Sequence, residues 1–91
     1  MEFEWDENKN VENIKKHRVK FEEAAKAFAD KNAVELFDEL NSESEIRLQI
    51  IALSPVRLLL VSFTIREERI RIISARKADA KQTKIYNEYK R

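Results

Sequence analysis

The chain of 91 residues contains no cysteine and no glycine, and its only proline and only histidine are Pro55 and His17. Without cysteine, disulfide bonds, thiol catalysis, iron–sulfur clusters and the common Cys/His zinc sites are excluded. Average usage predicts about six glycines in a chain of this length. Their absence excludes the P-loop, the GxGxxG dinucleotide motif and glycine-rich oxyanion loops. If phosphate is bound here, we expect side chains, above all those of arginine, to bind it.

Long hydrophobic runs and targeting signals are also missing. The longest apolar run, residues 58–61, is far shorter than the roughly 20 residues that span a bilayer. The acidic and polar N-terminus is unlike a signal or transit peptide. We therefore expect a cytoplasmic protein without a membrane segment, folded as one domain over residues 1–91.

Charge is distributed unevenly along the chain. The 18 Lys and Arg nearly cancel the 17 Asp and Glu, for a net charge of +1. Residues 1–56 nevertheless carry a net −5 and residues 57–91 a net +6. Two interpretations remain open: the second part presents a basic face to a polyanion, or acidic helices and a basic sheet neutralise each other.

The first third of the chain predicts two helices. Residues 3–5 alternate apolar and polar, which is typical of a short edge strand or of a cap on the core. Asp6 is a candidate N-cap for a helix that runs to about His17, with Val11 and Ile14 facing inward. A second helix follows, and residues 30–32 should end it, with Asn32 able to adopt the left-handed conformation. Its apolar stripe consists of Phe21, Ala24, Ala25 and Phe28.

The remainder predicts a sheet and a third helix. Short connections between the last three strands indicate an antiparallel meander, with residues 57–65 central because that strand is the most apolar. Asp79 and Gln82 have the spacing of a capping box, which begins the third helix. The fold class is therefore α+β: two N-terminal helices, an antiparallel sheet of three to four strands, and a C-terminal helix. The predicted strands are residues 33–37, 46–53, 57–65 and 69–74.

Arginine is the residue type that suggests chemistry. Arg69, Arg71 and Ile73 are predicted on one face of the last strand, opposite Ile70, Ile72 and Ser74, and Arg47 can join the arginines across the sheet. Grouped guanidinium groups bind phosphate through paired hydrogen bonds and suit an RNA-binding sheet face. The arginines in or beside strands are Arg47, Arg57, Arg66, Arg69, Arg71 and Arg76. The alternative is that they form surface ion pairs with Glu43, Glu45, Glu67 and Glu68. Glu22 and Glu23 are expected on a solvated face.

RNA cleavage requires little beyond the side chains that this chain has. A base removes the proton of the 2′-hydroxyl, cations stabilise the five-coordinate phosphorus, and an acid protonates the leaving 5′-oxygen. Lys, Arg, His and Glu can fill these roles without a metal. Histidine exchanges protons near neutral pH more readily than other side chains. The alternative for His17 is a structural contact with the last carbonyls of its helix.

The residues that carry a resemblance to a known family span about residues 3–89. The N-terminal block is Phe3-x-Trp5-Asp6-x-x-Lys9-x-x-x-Asn13-x-x-Lys16-His17-x-Val19-x-Phe21-x-x-Ala24-x-x-x-Phe28. The later blocks are Glu45-x-Arg47 and Arg71-Ile72-Ile73-Ser74-Ala75-Arg76-Lys77-Ala78, followed by Tyr86. In this order, the blocks resemble the BrnT family of toxins.

The resemblance implies a RelE-like ribonuclease fold and a toxin of a type II toxin–antitoxin module that stops translation by cutting RNA. It implies no cofactor and no metal. The implied partner is a BrnA-like antitoxin with a ribbon–helix–helix region, in a tetramer of two toxins and two antitoxins. Operator DNA would be contacted only through the antitoxin.

The resemblance also implies candidate site residues. Arg47 and Arg76 would hold the scissile phosphate, and Lys16, His17 or Glu45 would move the protons. Arg66, at a commonly basic position of the family, would bind the RNA backbone, and Arg69 and Arg71 are candidates for the same role from their predicted place on the sheet face.

This chain departs from the family pattern at three places. Arg18 stands where the family usually has glycine, Ala52 stands near another glycine, and Thr83 replaces a cation. These departures motivate a second hypothesis, a toxin fold that binds antitoxin and represses its operon without cutting RNA. A plain RNA-binding domain is a third.

Overall fold

A computed structural model describes residues 2–37 and 46–89. The described residues form five strands and three helices. In chain order these are β1 (Glu2–Glu4), α1 (Glu7–His17), α2 (Phe21–Ala27), β2 (Val34–Phe37), β3 (Leu48–Leu53), β4 (Leu58–Arg66), β5 (Arg69–Lys77) and α3 (Ala80–Tyr89).

The described strands form a single sheet in the order β1-β5-β4-β3-β2. The α+β class and the antiparallel meander β3-β4-β5, with β4 central, are confirmed. The prediction of three to four strands was wrong, because the N-terminal segment adds a fifth strand. β1 pairs with β5 in parallel, with Phe3 opposite Ile70. The edge-strand interpretation of residues 3–5 is therefore confirmed for the first two of them, and Phe3 and Trp5 also pack against the core, as the second interpretation had it.

Helix α1 buries a polar residue. Asp6 caps the helix as predicted, because its carboxylate accepts hydrogen bonds from the backbone N–H groups of Asn8 and Lys9. Asn13 is the buried residue of α1, whereas Val11 is 44% exposed. The prediction that Val11 faces inward was wrong, because α1 is held to the sheet by the hydrogen bonds of Asn13.

Among residues 2–37 and 46–89, three take the left-handed conformation that glycine normally fills. Arg18 ends α1 at φ 59° and ψ 32°, and its N–H donates to the Ile14 carbonyl. Glu67 and Glu68 form the tight turn between β4 and β5 at φ 51° and 66°. Such a conformation costs a residue with a Cβ about 1–2 kcal/mol. Asn32 was predicted to adopt it and does not, because the Asp30 carboxylate accepts a hydrogen bond from the Asn32 N–H and turns the chain instead.

The two faces of the sheet are packed differently. Helix α2 covers one face, where Phe21 and Ala24 of its predicted stripe are fully buried against β3, β4 and β5, and α1 lies along β5. Ala52 also lies in this core with 0% exposure, so the alanine near the family's glycine is a packed side chain. On the other face, α3 lies mainly over β2 and β3, and its Tyr86 packs with Ile51 of β3 and Leu60 of β4. The rest of this second face is left open.

A β-bulge interrupts strand β5. Ser62 of β4 pairs with Ser74, but Phe63 pairs with Ile72, so Ile73 is an extra residue. Ile72 and Ala75 both lie in the core together with the buried residues of α2. Ser74 therefore lies on the open face together with Ile73, which corrects the prediction that Ser74 shares a face with Ile70 and Ile72.

Helix α3 begins at the predicted capping box. The Asp79 N–H donates to Gln82 Oε1 at 2.9 Å, and the Gln82 N–H donates to Asp79 Oδ1 at 2.8 Å. The Tyr86 hydroxyl donates to the Asp30 carboxylate at 2.7 Å and ties α3 to the α2–β2 connection. Across the described ranges, the helices are all too short and too polar to span a bilayer.

Candidate active site

The open face of the sheet holds a cleft of about 240 Å³, which we call the arginine cleft. Its lining residues are His17, Arg47, Gln49, Leu60, Ser62, Ile73, Ser74 and Arg76. The described lining contains cationic, hydroxyl, amide and apolar side chains and no carboxylate. This combination suits an anionic ligand that also offers hydrogen-bond acceptors.

The floor of the arginine cleft is a row of three polar side chains across three strands. Gln49 of β3 pairs with Ser62 of β4, and Ser62 pairs with Ser74 of β5. The Gln49 Nε2 group donates to Ser62 Oγ at 3.2 Å. These residues were not predicted as site residues. Gln49 is two residues from Arg47, which puts both on one face of an extended strand, and Ser62 is a polar residue within the most apolar strand, so both positions could have been recognised from the sequence.

Arg47 and Arg76 lie at opposite ends of this row. Arg47 precedes Gln49 by two residues on the β3 side, and Arg76 follows Ser74 by two residues on β5. β3 and β5 run in the same direction, since both are antiparallel to β4. The two guanidinium groups therefore approach the cleft from diagonal corners. The structure thus brings together the two arginines that were predicted to hold phosphate.

His17 enters the arginine cleft from helix α1. Asn13, one turn earlier on the same helix face, donates from Nδ2 to the backbone carbonyls of Val19 and Ala75, and its Oδ1 accepts from the Ala75 N–H. Ala75 lies between Ser74 and Arg76. This connection fixes the C-terminal turn of α1 beside the bulge, and so places His17 next to the arginine cleft.

A second cleft of about 200 Å³ lies beside the first, and we call it the lysine cleft. Its lining residues are Lys9, Glu12, Asn13, Lys16, His17, Ile73 and Ser74. Lys16, the other member of the predicted lysine–histidine pair, lines this cleft and is absent from the described lining of the arginine cleft. His17 is shared by both.

Arg69 and Arg71 lie outside both clefts, at the end of the sheet where β1 is added. The Arg71 guanidinium donates to Glu4 at 2.8 Å, and Arg69 lies 3.5 Å from Glu2 and 3.8 Å from Glu4. Surface ion pairs were the alternative for these arginines, but their partners are these N-terminal glutamates and not Glu67 or Glu68. Glu43 and Glu45 lie outside the described residues. Arg66, the last residue of β4, is exposed opposite Arg69.

Arg57 is used for structure. Its guanidinium forms two hydrogen bonds with Glu23, at 2.8 and 3.0 Å, and a third with the Arg18 carbonyl. The hydrogen bond from Arg57 lowers the pKa of Glu23, against the effect of burial and with a further contribution from Ser54. Glu23 was expected on a solvated face and is instead a half-buried partner that fastens α2 to the start of β4.

Two other predicted positions complete the description of the site. The predicted proton carrier Glu45 lies outside the described residues. Thr83, where the family has a cation, donates its hydroxyl to the Asp79 carbonyl within α3. Within residues 2–37 and 46–89, no three His, Asp or Glu side chains are grouped in a way that could hold a metal ion.

Comparison with known proteins gives one family. The family model described as a ribonuclease toxin, BrnT, of a type II toxin–antitoxin system matches residues 5–82. A search of curated proteins found no match. The matched range includes every residue that lines the arginine cleft.

Proposed function

Because the chain belongs to the BrnT family of ribonuclease toxins from type II toxin–antitoxin systems, we propose that it is a metal-independent endoribonuclease that binds RNA in the arginine cleft. The observation that carries this proposal is the convergence of Arg47, Arg76 and His17 on one cleft. The family is one of ribonucleases, and the assignment of roles to individual residues below is part of the proposal. The RelE-like character of the fold and the arrest of translation are parts of the same proposal.

Arg47 and Arg76 bind the scissile phosphate from two sides. Each guanidinium offers a planar pair of N–H donors to the phosphate oxygens. Since two cations meet one phosphate, they stabilise the extra negative charge that develops at five-coordinate phosphorus. The Ser62 and Ser74 hydroxyls and the Gln49 amide supply hydrogen bonds below the nucleotide.

His17 moves the protons. Of the three candidates for this role, it is the one in the described lining of the arginine cleft. As a base it accepts the proton of the 2′-hydroxyl, the 2′-oxygen forms a bond to phosphorus, and the bond from phosphorus to the 5′-oxygen breaks. The imidazolium of His17 then gives the accepted proton to the 5′-oxygen and returns to its neutral form. The products are a 2′,3′-cyclic phosphate and a 5′-hydroxyl.

The decisive test is expression of the chain in bacterial cells without its antitoxin. We expect growth arrest with RNA cleavage, and loss of both in Arg47→Ala and in Arg76→Ala. Lys81→Ala, on the exposed surface of α3, is the matched control and should remain toxic. Purified wild-type protein that leaves RNA intact both with EDTA and with magnesium would contradict the proposal.

An antitoxin partner follows from the family. We propose that it is a ribbon–helix–helix protein encoded beside this chain, that two copies of each form a tetramer, and that operator DNA is contacted only through the antitoxin. The cationic lining of the arginine cleft suits an acidic segment of such a partner. Co-expression with the neighbouring reading frame, followed by mass measurement of the purified complex, tests this composition.

One observation favours the second candidate function, a toxin fold that acts through antitoxin binding alone. Arg18 adopts the left-handed conformation directly after His17, and its backbone dihedral angles there suit glycine better. Under this alternative, the protein would bind antitoxin tightly and repress its operon, yet show no toxicity. The expression test above separates the two functions.

A further inference from the structure

The lysine cleft is continuous with the arginine cleft. The two share His17, Ile73 and Ser74, so the histidine and the bulge form the boundary between them. An RNA strand whose scissile phosphate lies between Arg47 and Arg76 can therefore continue past His17 into the lysine cleft.

The cations of the lysine cleft come from one side of helix α1. Lys9 and Lys16 are seven residues apart, which is about two helical turns or roughly 10 Å. Both side chains are exposed, and among the described residues neither forms an ion pair. Glu12 lies between them and also lines the cleft. Its carboxylate offsets part of the positive charge.

We propose that the lysine cleft is a second phosphate subsite, in which Lys9 and Lys16 bind the RNA backbone next to the scissile phosphate. This inference rests on the proposed function of the arginine cleft. Lysine suits the role, because its ammonium is a mobile point charge that contacts a phosphate without fixing the geometry of bond cleavage. The arginine cleft performs the reaction, and the lysine cleft holds the adjoining nucleotide.

The test is direct binding of RNA that cannot be cleaved. Oligonucleotides with 2′-O-methyl groups lack the attacking hydroxyl, so their affinity is measured without turnover, by fluorescence anisotropy over a range of salt concentrations. The variants are Lys9→Gln, which removes one ammonium from the cleft, and Glu12→Gln, which removes the opposing carboxylate. Lys15→Gln is the control, since it removes the same charge from an exposed position of α1 outside the described lining of both clefts.

We expect Lys9→Gln to weaken binding about two- to fivefold, the range for one exposed charge contact. It should also lower the slope of log K against log salt by about 0.7, the value for one phosphate contact on a single strand. Glu12→Gln should strengthen binding, because it removes the carboxylate that opposes the two ammonium groups. A dinucleotide with a single phosphate should not distinguish Lys9→Gln from wild type, because it does not reach the second subsite.

Equal weakening by Lys9→Gln and Lys15→Gln would overturn the subsite, because it would show a general effect of helix charge. Unchanged affinity in Lys9→Gln would overturn it as well. If wild type cleaves RNA and either result is obtained, the subsite fails while the proposed function stands. If wild type cleaves nothing but binds the longer oligonucleotide in a Lys9-dependent manner, the subsite stands and the endoribonuclease proposal fails.

Discussion

The side-chain amide of Asn13 pairs with the backbone of Ala75 as a neighbouring strand would. Asn13 Nδ2 lies 2.8 Å from the Ala75 carbonyl oxygen, and the Ala75 nitrogen lies 3.1 Å from Asn13 Oδ1. β1 pairs with β5 only as far as Arg71, so the amide satisfies backbone groups that the strand itself leaves unpaired. One side chain thus completes the edge of the sheet and positions the helix that bears His17.

Replacement of Asn13 by alanine should destabilise the protein by about 2–3 kcal/mol, because it leaves buried backbone groups of Ala75 and Val19 without partners. Urea unfolding measures this loss. Asn8→Ala, on the exposed surface of the same helix, is the matched control and should change stability by less than about 0.5 kcal/mol. Equal effects of the two substitutions would show that the Asn13 hydrogen bonds contribute little.

Arg18→Gly should stabilise the protein by about 0.5–1 kcal/mol. The substitution relieves the left-handed conformation at φ 59°, and the greater freedom of glycine in the unfolded chain cancels part of the gain. The bond that Arg57 makes to residue 18 uses the backbone carbonyl and is kept. Arg18→Ala removes the same side chain without relieving the backbone, so a similar gain in that variant would point to charge as the cause.

Glu4→Gln should strengthen the binding of uncleavable RNA if Arg71 contacts the RNA backbone, as was predicted from the sequence. The Glu4 carboxylate holds the Arg71 guanidinium at 2.8 Å, and a phosphate must compete with it. We expect a two- to fivefold gain in affinity, about the strength of one partly exposed ion pair. Glu2→Gln, which removes a carboxylate farther from its arginine and 77% exposed, is the control. Unchanged binding in Glu4→Gln would remove Arg71 from the RNA path.

Protonation of Glu23, which breaks its ion pair with Arg57, should make the protein less stable in acid. The Arg57 hydrogen bond holds the pKa of Glu23 below its ordinary value, so the carboxylate stabilises the folded state above that ordinary value, and this contribution disappears as the pH falls through the lowered pKa. Glu23→Gln should cost about 1–2 kcal/mol at pH 7, and this cost should decrease as the pH falls below the ordinary glutamate pKa of 4.5. Urea unfolding at a series of pH values from 7 downward, with the exposed Glu22→Gln as control, measures the decrease.

Deprotonation of Tyr86 should make the protein less stable in alkali. Burial, and then the hydrogen bond and charge of Asp30, raise the pKa of Tyr86 to about 12. The neutral phenol therefore contributes fully below its ordinary pKa near 10, and the contribution is lost as the pH rises from there through 12. Tyr86→Phe should cost about 1 kcal/mol at pH 7. The difference in stability between wild type and this variant should shrink above pH 10, whereas Tyr89→Phe, at a position 69% exposed, should show no such change.

Periodicity in the sequence was sufficient to predict the elements that bury apolar side chains. The stripe that starts at Phe21 predicted α2, and the apolar run around Leu59 predicted the central strand. Hydrophobic spacing was not sufficient where polar groups determine the packing. Asn13 is buried by its hydrogen bonds, and the third residue of β1 is a glutamate paired with Arg71. Both depend on contacts more than 60 residues away along the chain.

The candidate site was predictable by residue type and less so by position. Phosphate chemistry pointed to the six arginines in or beside the strands, the family resemblance selected Arg47 and Arg76 among them, and the structure brings both to one cleft. A regular alternation along β5, however, places Arg76 on the same side as Ile70 and Ile72, in the core. The bulge at Ile73 moves Arg76 to the open face. The bulge could not be predicted from the sequence, because the residues around it are compatible with either face of the sheet.

The bulge also determines how this chain must be aligned with its relatives. Before Ile73 the odd-numbered residues of β5 face the open side of the sheet, and after it the even-numbered residues do so. An alignment gap placed one residue too early or too late within residues 72–74 would exchange a cleft position for a core position. Substitutions at Ser74 and Arg76 can be compared between two family members only when Ile73 is aligned with the bulge residue of the other protein.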